Sequence, residues 1–456
     1  MPINSKAAGD ETALWRKPES LLLDWFNSRR VHLRSDLPTA VPTPPTRILF
    51  QVAVFAAAFL IIFSRRPDAV LNAQFFAEDG QRWYADAYQF GMRSLLIPDE
   101  GGGYLHTAPR LAALVSLLFP FSRAPLVMNL CAIAVQILPI MVFISSRFSN
   151  IVLWKRLLGS FLYLGLPNTY GTNANATNMQ WHLGLLACLV LLAEPANHRK
   201  WRLFDGVVLT LISVESPMGI VLVPFAALLW WMRRSRWART SFALLFPGAV
   251  VQAFVVLTSH SRHTAPNGAS VTRLVSIIGR QVFLASLLGA KTVLHFALRY
   301  SAHSLFLLEA IATGLGLAFL LYALRYAPAE LKLFIAFSFC VFALSLAWPL
   351  AGAPDQPQWE WLRFPGTSNR YYYLPIMSFL AALLWIVDCA KSRTVRLCGA
   401  VLLLVLPIGI RRDWRYPAFA DMHFREYASQ FHTVPSGTRI VIPINPPPWT
   451  MELTKH

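Results

Sequence analysis

The chain has 456 residues, 55% hydrophobic and 14% charged, with a net charge of +18 and a mean hydropathy of +0.46. A soluble globular protein carries roughly 25% charged residues, so a deficit this large in so long a chain means that apolar surface faces lipid. The basic residues form short clusters between apolar runs rather than one extended face, which argues against a nucleic-acid partner and fits loops kept on the cytoplasmic side of a membrane.

In chain order, residues 1–46 are expected to form a cytoplasmic tail. Its polar, basic, Pro-rich composition is in the wrong order for a cleavable signal. Within it, Pro18 to Leu33 reads equally well as a solvated segment or as an interfacial helix, with Leu22, Trp25 and Phe26 on one face and Arg29, Arg30 and Arg34 following. Pro38 to Thr46 is an extended spacer, because repeated proline fixes φ and removes donors.

The transmembrane domain is expected over residues 47–410. A span needs about 20 apolar residues to cross about 30 Å of hydrocarbon. Span 1 is Arg47 to Ser64, followed by a mixed outer loop, residues 65–123, and by span 2, Ala124 to Ser146. Leu157 to Ala193 is flanked by basic clusters on both sides, as is Phe204 to Met232. Basic ends on the same side require an even number of crossings, so each stretch holds two short spans, with Asn168 to Trp181 and Glu215-Ser-Pro217 as the outer turns. Short legs point to a protein-lined cavity, where irregular backbone is tolerated. Span 7 is Thr240 to Leu257, and Ser259 to Ser304 is polar, then amphipathic, on the outer side. Spans 8 to 11 end near Leu324, Leu350, Cys389 and Ile410. Pro109 to Phe121 is too short to cross and is read as a helix on the outer surface. Residues 411–456 form an outer tail, with a short strand at Thr438 to Pro443. The fold class is thus an all-α polytopic membrane protein of about 11 transmembrane helices, with surface helices in the first outer loop.

The five cysteines lie in or beside apolar runs without metal-ligand spacing, and they read as buried free thiols. No Walker loop, dinucleotide fingerprint or Gly-x-Ser-x-Gly elbow occurs, so ATP-driven transport, nicotinamide redox and Ser-hydrolase chemistry have no motif to stand on.

The candidate chemistry is on one side of the membrane. Phe75-Phe-Ala-Glu-Asp-Gly80 follows span 1 at once. A partly desolvated carboxylate there, Glu78 or Asp79, gains basicity and can accept a proton; an Asp-Gly turn capping a helix is the plainer reading. Gly101-Gly-Gly103 permits a sharp reversal or close approach to a ligand, and His106 and Arg110 beyond it could reach a phosphate. Asn173, Asn175, Asn178, His182, Glu215, His260, Arg262, His263, Arg363 and Arg370 occupy other outer turns. Each alone reads as a solvated loop group, but an acid inside a mostly apolar run is costly, so Glu215 should face a cavity. Arginine forks onto phosphate oxygens.

An inside N-terminus, a first span followed by Glu78-Asp79-Gly80, a short surface helix opening at Pro109, a long second span and a late Arg370-Tyr-Tyr-Tyr-Leu-Pro375 loop together resemble the GT-C superfamily of polyprenyl-phosphate-sugar-dependent membrane glycosyltransferases. The likeness covers most of residues 47–410 as an architecture. It implies Asp79 as the catalytic base or acceptor-orienting carboxylate, with Glu78 as alternate, and Arg370 as donor-phosphate ligand. It also implies a polyprenyl-phosphate-linked sugar as donor, a glycan or lipid as acceptor, and a multi-pass place in a bacterial inner membrane. Many members carry a second acid between spans 3 and 4, and Asn168 to Trp181 has none, so the expectation is an enzyme without a cofactor or bound metal. A glycan polymerase or ligase, or a transporter or flippase of lipid-linked substrates, are the competing readings.

Overall fold

The computed structural model describes residues 48–195, 198–259, 266–351 and 356–456. The candidate interfacial segment Pro18 to Leu33, the spacer Pro38 to Thr46, and His260, Arg262 and His263 lie outside the described residues.

The helices that build the body are α1 (Ile48–Arg65), α2 (Ala85–Phe90), α3 (Thr107–Ser116), α4 (Ala124–Phe143), α5 (Leu153–Gly165), α6 (Met179–Leu192), α7 (Arg199–Ser213), α8 (Pro217–Arg233), α9 (Arg236–Thr258), α10 (Val271–Leu288), α11 (Ala290–Arg299), α12 (Ala302–Tyr326), α13 (Ala329–Ala347), α14 (Tyr373–Cys389) and α15 (Arg393–Arg412). The tail adds α16 (Phe424–Thr433) and the antiparallel pair β1 (Arg439–Pro443) and β2 (Thr450–Thr454). Eight of the described helices are long and apolar enough to cross a membrane, and the fold is that of a helical, multi-pass membrane protein.

The bundle has two unlike ends. At the tight end the helices turn quickly and each turn carries a short basic cluster. Ser235 caps α9 by accepting from Ala238 N at 3.1 Å, and Ser392 caps α15 through Val395 N at 3.4 Å, each satisfying an amide that the helix itself cannot. Arg234 ends α8 in the left-handed conformation, φ 51°. Arg147 there donates to Asp205 at 2.6 Å, and Lys155 to Asp388 at 2.6 Å. At the wide end lie the C-terminus of α1, residues 66–123, the 166–178 turn, Glu215, α10 and α11, the 357–372 segment and the whole tail.

The Asn-rich turn explains why α5 and α6 are short. At 1.5 Å per residue these helices of 13 and 14 residues reach only about 20 Å, so the chain between them turns back inside the protein. Asn173 and Asn175 are buried. Their side-chain amides take over the bonding that a helix would supply: Asn173 Nδ2 donates to Thr169 O at 2.6 Å, and Asn175 Nδ2 and Asn178 Nδ2 each donate to Gly171 O at 2.8 Å. Irregular backbone at this depth survives only with such partners. The solvated-loop reading of these asparagines is therefore corrected. Behind the turn, α6 is buried along nearly its whole length and forms the centre of the core.

Three other expectations change. Ser259 to Ser304 contains α10, an 18-residue helix of spanning composition. Yet both of its ends meet the wide end: Gly268, just before it, adjoins Pro357, while Leu287 and Gly289 adjoin Gly409. The surface helix opens at Thr107 and ends at Ser116, earlier than Phe121, and Phe121 instead packs on Tyr84, Phe424 and Phe431. All five cysteines are free, but only Cys188 is buried; Cys340, Cys389 and Cys398 lie on the outer surface of the bundle.

The predicted strand is present as β1, and it pairs antiparallel with a second strand, Thr450–Thr454. The tail folds back onto the acidic segment. Asn445 N donates to Phe75 O at 3.1 Å and Ala77 N to Asn445 O at 2.5 Å. Phe75 is sandwiched between Tyr84 and Phe424. Gly80 lies so close that an added Cβ would stand 2.9 Å from the Cβ of Phe75 and 3.1 Å from Ile444, which is why glycine follows the acid pair.

Candidate functional site

Glu78 and Asp79 open a π-helical turn, Asp79–Tyr84, that continues into α2. The two acids have opposite surroundings. Asp79 is 1% exposed. Its Oδ1 accepts from Thr177 N at 2.6 Å and Thr177 Oγ1 at 2.7 Å, and its Oδ2 from Ala176 N at 3.2 Å. Burial raises its carboxyl from an ordinary 3.8 to about 7, the three hydrogen bonds hold it down against that rise, and the negative Glu78 beside it adds to it. The helix-capping reading of the Asp-Gly turn is corrected: the Asp79 carboxylate accepts from residues 176–177, not from its own helix, and anchors the first outer loop to the 166–178 turn. Glu78 is half-buried, accepts no hydrogen bond among the described residues, and stands in the field of Arg370.

Arg370 is half-buried at the start of the last helix pair. One guanidinium nitrogen donates to Leu350 O at 2.7 Å, and the group lies 4.8 Å from the ring centre of Tyr371. The Tyr371 ring is 5.9 Å from that of Trp181, whose buried Nε1 has no hydrogen-bond partner among the described residues. Tyr104 completes this side. Its hydroxyl is 3.5 Å from Gln180 Oε1, and burial pushes its ionisation well up, against which nearby Arg370 works in the opposite direction. Glu78, Asp79, Arg370, Tyr104, Tyr371 and Trp181 thus form one neighbourhood contributed by four separate parts of the chain.

His106 and Glu215 form a second, deeper pair. Glu215 is fully buried, and its Oε2 accepts from Ala108 N at 2.5 Å, at the N-terminus of α3, where the helix dipole favours a negative charge. Its Oε1 faces His106 Nδ1 at 3.6 Å, too long for a hydrogen bond. Burial raises the Glu215 carboxyl, and His106 and the amides at 107 and 108 oppose the rise. The imidazole lies between the Tyr104 ring at 4.5 Å and the Trp83 ring at 4.8 Å, tilted by 39° and 46°. Trp83 Nε1 donates to Thr177 Oγ1 at 3.1 Å, so this pair joins Asp79 through one indole and one hydroxyl.

The other predicted residues fall elsewhere. Arg110 is buried beneath Trp83 and donates to Asp86 at 2.7 Å, committed to holding α3 on α2. Arg363 pairs with Glu360, three residues before it, and its carbonyl accepts from Arg280 at 3.0 Å. His182 lies within α6, with Nε2 2.7 Å from Thr172 O and Nδ1 2.9 Å from the Tyr163 hydroxyl, and supports the Asn-rich turn from below. The three glycines make a built turn: Gly102 N donates to Asp99 Oδ2 at 2.5 Å, and Gly103 takes φ +67°. Among the described residues no group of three or more His, Cys, Asp or Glu is placed to hold a metal ion.

Thr177, Ala176, Asn445, Tyr104 and Gln180 belong to the site but gave no sequence signal. Each is an ordinary residue made relevant by a contact across 76 or more positions of chain. No protein-family profile matches this chain, and no curated protein sequence is similar to it.

Proposed function

We propose that the protein is a membrane glycosyltransferase of GT-C type, transferring a sugar from a polyprenyl-phosphate donor to a glycan or lipid acceptor at the wide end. In this reading, eleven helices cross the membrane, the tight end is cytoplasmic and the wide end non-cytoplasmic. The observation that carries the proposal is the unequal acid pair within electrostatic reach of Arg370: Asp79 sealed in, with its carboxyl raised to about 7, and Glu78 half-buried. Transfer needs a base for the acceptor hydroxyl and a cation for the departing phosphate. The acceptor oxygen forms a bond to the anomeric carbon as the bond to the lipid phosphate breaks. The acceptor proton passes to the carboxylate pair, and the phosphate leaves with the electron pair against Arg370. Half-buried Tyr104 is the aromatic residue against which a sugar can lie, and the buried Tyr371 and Trp181 support that side from behind.

The test is transfer from radiolabelled polyprenyl-phosphate sugars to membrane acceptors by purified, reconstituted protein. Absence of transfer from any such donor, with the protein folded, would overturn the reading. A lipid-linked-substrate transporter would move the same label across proteoliposomes without covalent change. The candidate site groups here crowd one end and no sequence repeat is seen, whereas transporters place such groups near mid-membrane between repeats. A polymerase or ligase would use the same groups on a pyrophosphate-linked glycan, and the identity of an accepted donor separates the two.

A further inference from the structure

Two adjoining elements at the wide end carry a cluster of exposed basic residues. Along α15 the exposed apolar residues Leu397, Val401, Leu404 and Ile408 repeat at spacings of four, three and four, so they form one stripe on the outside of the bundle. Arg411 continues that stripe, with Arg412 and Arg415 just beyond, all three exposed. Among the described residues, none of the three guanidinium groups makes a hydrogen bond or ion pair. The acid between them, Asp413, faces inward and accepts from Asn168 N at 2.9 Å and Ala290 N at 2.7 Å, so it does not neutralise the patch.

Beside it, α11 starts at Gly289 against Gly409 and therefore sits at the level where α15 ends. Val293 is its buried inner residue. Its outer side exposes Leu294 and Leu298 with Lys291, His295 and Arg299 flanking them, and Tyr300 follows. An apolar ridge bordered by cations and closed by an aromatic residue is the pattern of a helix lying in the headgroup layer. Lys291 Nζ also donates to Arg415 O at 3.1 Å, which joins the two elements.

We infer that α11 and the end of α15 form a docking surface for anionic phospholipid of the leaflet at the wide end. The acyl chains lie along the α15 stripe and the headgroup phosphates against Arg411, Arg412 and Arg415. This rests on the membrane placement proposed above and is independent of sugar transfer. The charge sign is what selects the lipid: exposed cations are disfavoured on a non-cytoplasmic face, so a cluster there is explained by an anion it meets. The cations are spread over an open outer wall, which suits several headgroups of a bilayer rather than one phosphate held in a slot.

The test uses the full chain in mixed micelles of phosphatidylglycerol and phosphatidylcholine, with bound lipids counted by native mass spectrometry. The wild type should retain phosphatidylglycerol preferentially. Arg411→Gln/Arg412→Gln/Arg415→Gln should lower that retention by about tenfold or more without changing phosphatidylcholine. The corresponding triple Lys variant keeps the charge and should keep the preference. If the triple Gln variant fails to fold, single Gln variants and a salt titration of the wild type replace it, and the preference should fall as salt rises. No preference in the wild type, or an unchanged preference in the Gln variants, overturns the inference. So does polyprenyl phosphate binding that phosphatidylglycerol does not displace, since the surface would then belong to a lipid-linked sugar.

Discussion

At the residue scale the informative contrast is between two neighbours. Asp79 is sealed against the 176–177 amides, and half-buried Glu78 lies within electrostatic reach of Arg370. If Asp79 takes the acceptor proton, Asp79→Asn should lower transfer by roughly 10²–10⁴-fold, while Glu78→Gln costs less; the reverse order would make Glu78 the base, and near-normal transfer by both would reduce the motif to a structural anchor. Transfer by the wild type should rise with pH through about 7. Removing the neighbouring negative charge in Glu78→Gln should move that limb downward, because that charge is one of the causes that raise Asp79. Stability runs the other way. The folded carboxyl binds its proton up to about 7 against an ordinary 3.8, so between those values the folded state holds more protons and its stability falls as pH rises. Thermal unfolding of Asp79→Asn across that window should show a flatter pH dependence than the wild type. The sequence exposed this pair because two adjacent acids after an apolar span stand out by themselves. It could not show which acid is buried, since that depends on Thr177, 98 positions away.

At the scale of elements, the site is held from both ends of the chain. The tail segment around Asn445 pairs with residues 75–77, α16 packs on Phe75 and Phe121, and Ile444 adjoins Gly80. Deleting residues 424–456 should therefore leave an inserted bundle whose 65–123 loop is open to limited proteolysis and whose transfer is lost; unchanged protection of that loop would show that the tail does not support it. A second junction is α10 against α12. A Cβ on Gly279 would stand 2.2 Å from Glu309 O, and Arg280 Nε donates to Glu309 Oε1 at 2.6 Å next to it. Gly279→Ala should destabilise by about 1–3 kcal/mol, the usual cost of overpacking, measured as a lower midpoint of thermal unfolding in detergent. The long apolar legs were legible from composition, because a lipid-facing helix writes its length in hydrophobic residues. The tail fold was not, since only β1 has a strand-like pattern and its partner Thr450–Thr454 lies beyond a Pro-rich turn. The π-helical openings at 79 and 278 leave no pattern in sequence at all.

For the whole molecule, length and charge give different accounts of which helices cross. Length and hydropathy together select eight helices, among them α10, and pass over the short α5, α6, α7 and α8. The flanking charges, read as loops that stay on one side, instead pair those four short legs and leave α10 on one face. In the structure α5 and α6 join opposite ends of the bundle, with Arg156 beside Ile144 O and Ser145 O at the tight end and Gly165 against Trp414 at the wide end. Both ends of α10 lie at the wide end. The two accounts separate cleanly by experiment. A reporter after His456 should read as non-cytoplasmic and one after Arg236 as cytoplasmic. In a background without the native cysteines, Asn267→Cys and Lys291→Cys flank α10 and should both react with an impermeant thiol reagent added from the side of His456. Labelling of the two from opposite sides would mean that α10 crosses. That would turn α12 around and carry Arg325 and Lys332 to the non-cytoplasmic face, against the charge bias that the other tight turns obey.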